Sequence, residues 1–346
     1  MNFKLLALAL PLACSVFGEG ALRDKLAQDH GKIVYESYVD NNWELFVMNS
    51  DGSNAMNLTK SAEHEHYPQV SPDGTKICYT VDAGEGRETI RSLWVMDSDG
   101  KNRKKLVEYA REPFWAPDSK TIGFLHQEYP KFNIIDYYTK GMSFYDLATG
   151  KTTDHPNAAK LHHLYNPSFA PNGKWIAATV HAGMGFDHAI LLIERNGDKI
   201  INLGVHGCRP AISPDGKQIA WGSSDHDIET ATINLEDAEP KIQSHRVRVT
   251  DAKNKIYHVD WSPGSDFLSI SHGPESEGDL SKPGTFRSAC EIVGVYAKDW
   301  NLIAVSAKRE GVLDLATATE KDFAPLTTNG LSNKESAWFK PPAAAK

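Results

Sequence analysis

Cysteine is scarce in this 346-residue chain, which has only Cys14, Cys78, Cys208 and Cys290. Four residues in a chain of this length do not make a disulfide scaffold. Removal of an N-terminal leader leaves Cys78, Cys208 and Cys290 whether or not Cys14 is kept as a lipid anchor, and three thiols cannot all pair with one another. Cys78 falls in an apolar strand and reads as a small buried residue. Cys208 and Cys290 fall in loops, where a bridge between them stays open. After the first eighteen residues there is no apolar run long enough to span a bilayer. Positive charge is also short: 37 Lys and Arg stand against 45 Asp and Glu, giving a net charge of −8 and a pI near 6.0. That balance excludes nucleic acid or an anionic membrane as the main partner. Several catalytic signatures are missing too: the Gly-x-Ser-x-Gly nucleophile elbow, the phosphate loop, the dinucleotide fingerprint and His-Glu-x-x-His.

The first eighteen residues form the exception to the polar pattern. Lys4 supplies a small positive region and Leu5 to Ala13 an apolar stretch, with Val16 and Gly18 as small residues before a cut at Glu19. Residues 1–18 therefore read as a secretory signal, placing the mature chain in the periplasm or outside the cell. Lipid anchoring at Cys14 is the weaker alternative, because Pro11 sits where such a junction prefers a branched apolar residue.

What the chain does have is a repeat. Tyr67-Pro68-Gln69-Val70-Ser71-Pro72-Asp73-Gly74 returns around Pro117, Pro171 and Pro214, and in worn form around Pro263 and Pro341. Successive turn prolines up to Pro263 lie 45, 54, 43 and 49 residues apart, near the length of a four-stranded propeller blade. Ser, Pro, Asp and Gly in this order suit a type I turn, and the flanking apolar stretches, such as Lys76-Ile77-Cys78-Tyr79, read as strands entering and leaving a hairpin. The last interval is longer and holds an insertion from Gly273 to Asp299.

With these motifs the chain resembles the TolB-type propeller repeats of exported bacterial proteins. Trp43-Glu44-Leu45-Phe46-Val47-Met48-Asn49-Ser50-Asp51-Gly52 and Leu93-Trp94-Val95-Met96-Asp97-Ser98-Asp99-Gly100 match that repeat's third strand and following turn, and Asn57-Leu58-Thr59 its fourth. The resemblance implies an all-β fold: a single β-propeller over residues 31–342, built from six blades of four antiparallel strands. Seven blades are the alternative if Ala297 to Ala304 forms a further hairpin, but Trp300-Asn301-Leu302 matches a third strand better. The N-terminal repeat lacks its entering strand, and Trp338-Phe339-Lys340-Pro341 supplies one and stops, so the two termini are expected to complete one blade. TolB proteins carry an additional N-terminal domain, for which the dozen or so residues between leader and first strand leave no room.

In a propeller the inter-blade loops and the loops between second and third strands share one face, the usual binding face. Eleven of the fourteen His fall in such loops. The candidate ligand-binding residues are His64, His66, Arg111, His163, His206, Arg209 and His258, just before or at the start of successive inner strands. Imidazoles there suit a divalent metal, with His163, His206 and His258 as its candidate ligands, or an anionic ligand such as an acidic sugar. A divalent metal is the one cofactor these residues suggest. The expected function is that of a non-catalytic module binding a protein or glycan on the His-rich face. The alternative is a metal-dependent polysaccharide lyase resembling oligogalacturonate lyase, whose ligands map onto no individual position here. The insertion at 273–299 is expected to project over the same face as a lid or docking element, and Asp314 to Glu320 to form a helical turn on the opposite one.

Overall fold

The computed structural model describes residues 21–84, 89–127, 139–274 and 299–342. The expected leader at 1–18, Cys14, Cys290 and nearly all of the 273–299 insertion lie outside them. Six antiparallel sheets are arranged as the blades of a propeller. Their innermost strands are Ser332–Phe339 in blade I, His64–Val70 in II, Ala110–Trp115 in III, Leu164–Phe169 in IV, Cys208–Ile212 in V and Asn254–Trp261 in VI. Asn301–Ser306 is the third strand of blade VI, so six blades account for the ring.

Each blade packs on neighbours at both faces, and its central strands are buried on both sides rather than on alternate residues. Ile77, Cys78 and Tyr79 are all less than 2% exposed for this reason. Ile77 and Tyr79 face Val34, Leu45 and Phe339 of blade I, while Cys78 faces Ile122 and Phe124 of blade III. Indole nitrogens fasten inner strands across the seams: Trp115 Nε1 donates to the Gln69 carbonyl at 2.9 Å and Trp261 Nε1 to that of Ala211 at 2.9 Å.

The repeated tetrapeptide does what its chemistry dictates. The Gly74 amide donates to the Ser71 carbonyl at 2.8 Å, and the Ser71 hydroxyl to Asp73 at 2.6 Å; Ser213, Asp215 and Gly216 repeat both bonds. The fourth position is left-handed in the first five copies, at φ 72° for Gly74 and Gly216 and 68° for Gly173. In the copies without glycine, Ser119 (54°) and Ser265 (59°) accept the same conformation. The worn last copy is offset by one: Trp338 occupies the place of Trp115 and Trp261, so Lys340 rather than Pro341 stands where the turn proline belongs.

Closure occurs as expected. Ser332–Phe339 pairs antiparallel with Lys32–Val39, with Lys32 opposite Phe339, Ile33 opposite Trp338 and Val34 opposite Ala337. A short helix not foreseen from the sequence, Ala21–Gln28, buries Leu22 and Leu26 against Ile33 and Trp338 over this blade. Arg23 ties it down through the carbonyls of Asp51 and Pro325, at 3.1 and 3.2 Å. A second departure concerns the segment near Asp314. Gly311–Asp314 crosses to blade V and pairs in parallel with its outer strand, Ile242–Thr250, making a five-stranded sheet; a turn, not a helix, follows.

Because Trp338 is 6% exposed and holds blade I to its neighbours, Trp338→Ala is expected to lower stability by about 3–5 kcal/mol. Deletion of residues 335–346 is expected to lower the melting temperature further by exposing two strand edges. Thermal unfolding followed by circular dichroism checks both.

Candidate ligand-binding site at the channel mouth

Midway along each innermost strand the pairing register breaks, and one residue at or beside each break turns left-handed. The six are Tyr67 (φ 53°), Glu112 (50°), Asn166 (47°), Arg209 (56°), His258 (50°) and Glu335 (46°), one per blade. A side chain held left-handed costs about 1–2 kcal/mol, so six copies around one axis are a sustained expense. The bulges turn these side chains towards the channel, where all six line one cavity of about 80 Å³ together with Gln69, Ser168 and Asp260.

The amides freed at the bulges are capped by side chains of neighbouring blades. Tyr67 N donates to Glu36 at 3.2 Å, Asn166 N to Glu112 at 3.3 Å and Arg209 N to the Thr179 hydroxyl at 2.9 Å. The side chains then pair around the ring. Arg209 Nη1 lies 2.8 Å from Glu335 Oε1, each side chain 12% exposed, and His258 Nε2 contacts the same oxygen. The Arg209 guanidinium also sits 4.3 Å above the Tyr257 ring. Burial, reinforced by Arg209, holds the His258 imidazole well below its ordinary pKa, whereas burial raises that of Glu335 against the pull of Arg209. Asn166 Nδ2 donates to Glu112 at 3.1 Å, and Glu112 lies 3.8 Å from Arg111.

Some polar atoms remain without partners here. Asn166 Oδ1, Arg209 Nε and His258 Nδ1 are buried and accept or donate no hydrogen bond. Since Asn166 Nδ2 must face the Glu112 carboxylate, its oxygen necessarily faces away. Asp260 reaches the cavity from below, receives the Trp338 amide at 2.7 Å, and is pushed up to about 7 by burial.

The seven candidates from the sequence separate into three groups. Arg209 and His258 line the cavity. His66 and Arg111 stand directly behind it: His66 Nδ1 is 3.2 Å from Glu36, and Arg111 is beside Glu112. His64, His163 and His206 belong to the surrounding rim. His64 accepts the Trp43 amide at 3.2 Å and stacks on His66. His163 packs against His162 with ring centroids 4.9 Å apart, and His206 lies 4.9 Å from His188, which also meets His181 and the Tyr165 hydroxyl. The three candidate metal ligands, His163, His206 and His258, make three separate contacts. Among the described residues no three His, Cys, Asp or Glu are placed to hold one ion. The spacing of these residues along the chain carried no information about which of them look inward.

The sequence reading missed Tyr67, Glu112, Asn166, Glu335 and Asp260. A signal for three of them was present, since Tyr67, Glu112, Asn166 and also Arg209 each precede a proline that lies four residues before the next turn proline. Near the rim, Glu65 is 3% exposed and pushed up to about 7, first by burial and then by Glu44.

No protein-family model matches the chain. Among solved structures, TolB from Acinetobacter baumannii superposes with a TM-score of 0.61 at 16% identity, over 89% of this chain and 66% of that one. The chain thus spans about two thirds of that protein's length. A putative TolB from Agrobacterium tumefaciens gives a TM-score of 0.52 at 12% identity, over 88% and 98%. An oligogalacturonate lyase from Vibrio parahaemolyticus gives 0.49 at 12%, over 82% and 73%, too loose a fit to bear on function.

Glu65 yields a pH prediction. A carboxyl raised to about 7 in the fold contributes stability that is fully present below its ordinary value near 4.5 and lost as pH rises towards 7. Wild type is therefore expected to lose stability between pH 4.5 and 7, and Glu65→Gln to flatten that decline; denaturant melts at a series of pH values measure it. By its architecture this chain is a six-bladed β-propeller, similar in fold to the two TolB structures.

Proposed function

We propose that this protein is an exported, non-catalytic binding module that holds a protein or glycan at the channel mouth bearing Arg209, His258 and Glu335. The observation that carries the reading is the ring itself: one backbone position repeated in six blades, filled by six polar or ionisable side chains of which no two neighbours are alike. Fold alone would accept any side chain there, or glycine more cheaply. Retaining Tyr, Glu, Asn, Arg, His and Glu at a strained position, with polar atoms left unpaired, suits recognition. Binding is favoured over catalysis because the acids and bases are engaged with one another: Arg209 and His258 with Glu335, and Asn166 and Arg111 with Glu112. The rim histidines around His163, His188 and His206 extend the face on which a larger partner would rest. Among the described residues no helix is long and apolar enough to cross a membrane, and the leader supplies the case for export.

The left-handed geometry provides a clean test. Glycine removes a side chain at these positions while suiting the backbone, so Asn166→Gly and the Arg209→Gly, Glu335→Gly pair are expected to retain or raise the melting temperature, whereas Glu112→Gly, which also uncaps the Asn166 amide, is expected to lower it. Ligand binding, measured by calorimetry against a partner captured from the native periplasm or against oligosaccharides, should fall at least tenfold. Undiminished binding in all three variants would place the site elsewhere.

A further inference from the structure

Resting on the binding-module reading, we infer that the channel throat is a subsite for a primary ammonium group, the head of a lysine side chain presented by a protein partner. The inference concerns the ligand class of the site described above and follows from which charges in the throat are already matched.

Nine ionisable groups besides the imidazoles gather at and behind the mouth. The cations are Arg91, Arg111, Arg209 and Lys334, and the carboxyls are Glu36, Asp82, Glu112, Asp260 and Glu335. Arg91 is bidentate to Asp82 at 2.6 Å, Arg111 lies by Glu112, and Arg209 holds Glu335. Lys334 lies over the Trp43 and Trp300 rings at 5.6 and 4.8 Å, and Glu36 is 3.2 Å from His66. Asp260 is the exception. It has no ion pair among the described residues, and its one hydrogen bond to a neighbouring blade comes from the Trp338 amide. The Trp261 amide of its own strand also reaches it, and the carboxylate's remaining lone pairs are left for the cavity that it lines. The nearest ring positions on its own and adjacent blades, His258, Arg209 and Glu335, are engaged with one another.

Two further open acceptors belong to residues that line the same cavity. Asn166 Oδ1 has its orientation fixed by Glu112, and His258, held neutral by burial and Arg209, presents an unpartnered Nδ1. An ammonium has three donors and no acceptor, which matches a carboxylate oxygen, an amide oxygen and an imidazole nitrogen. A carboxylate or sulfate would instead meet Asp260, and Arg209 offers it only Nε, because Nη1 is held by Glu335. A cavity of about 80 Å³ has room for an ammonium head and the end of its alkyl chain. Dehydrating the ammonium is offset only where a counter-charge and hydrogen bonds both wait for it, and this throat supplies both.

The test titrates Nα-acetyl-lysine amide, its uncharged isostere Nα-acetyl-norleucine amide and a galacturonate oligomer into the intact protein, by calorimetry or ligand-observed NMR. Asp260→Asn, whose side-chain oxygen can still accept the Trp338 amide, serves as the variant, and its melting temperature confirms that it folds. The lysine derivative is expected to bind wild type at least tenfold more tightly than the norleucine derivative. Its affinity should rise about tenfold from pH 6 to pH 8 as Asp260 ionises, and most of the advantage should vanish in Asp260→Asn. Equal binding of the two derivatives, a fall in affinity with rising pH, or no effect of Asp260→Asn overturns the ammonium assignment. Binding of the galacturonate oligomer alone, lost in Asn166→Gly, would overturn it while leaving the binding-module reading intact. Failure of every titrant and of the captured partner to respond to the glycine variants would remove both.

Discussion

The pairing of Ser332–Phe339 with Lys32–Val39 is the constraint on which everything else rests. Sheets buried on both faces need a neighbour on each side, and a linear row would leave its two end blades half bare. Joining the chain's last strand to its first removes both ends at once. It also completes the ring of bulges, because Glu335 lies on that closing strand. Arg209 of blade V then finds its carboxylate on a residue 126 positions away, and His258 of blade VI finds the same one. The mouth is thus assembled only when the fold is finished.

The layout of the fold was legible because it is written six times. The Ser-Pro-Asp-Gly turn fixes its own hydrogen bonds within four residues, so each copy declares a hairpin independently, and the copies together declare the period. The split blade was legible for a related reason: each terminus holds a fragment that the other lacks. What escaped was non-repeating. Ala21–Gln28 is a single helix with two buried leucines, too short to show a period. Gly311–Asp314 joins a sheet belonging to another blade, a parallel pairing that no local pattern encodes.

The site was half legible. Arg209 and His258 were found because they stand at the start of inner strands, but so do His163 and His206, which lie on the rim. Whether such a residue faces the channel depends on the bulge, and a shift of one residue along a strand exchanges the two faces. The proline after Tyr67, Glu112, Asn166 and Arg209 marks the bulge in four blades. In the other two, Val259 and Ser336 take its place, and the mark is lost. Asp260 was silent in the sequence because its significance is a deficit: among the described residues, folding brings it no ion pair.

The ring of left-handed positions has an evolutionary consequence. Each of the six contributes one side chain to the throat while its backbone is dictated by the repeat, so one side chain can replace another there without a change of backbone conformation. Recognition and architecture are therefore nearly decoupled, and the mouth can be respelled one blade at a time without redesign of the scaffold. Duplicated descendants of such a gene could diverge in what they capture while remaining superposable, and comparison of their overall shapes would not reveal it.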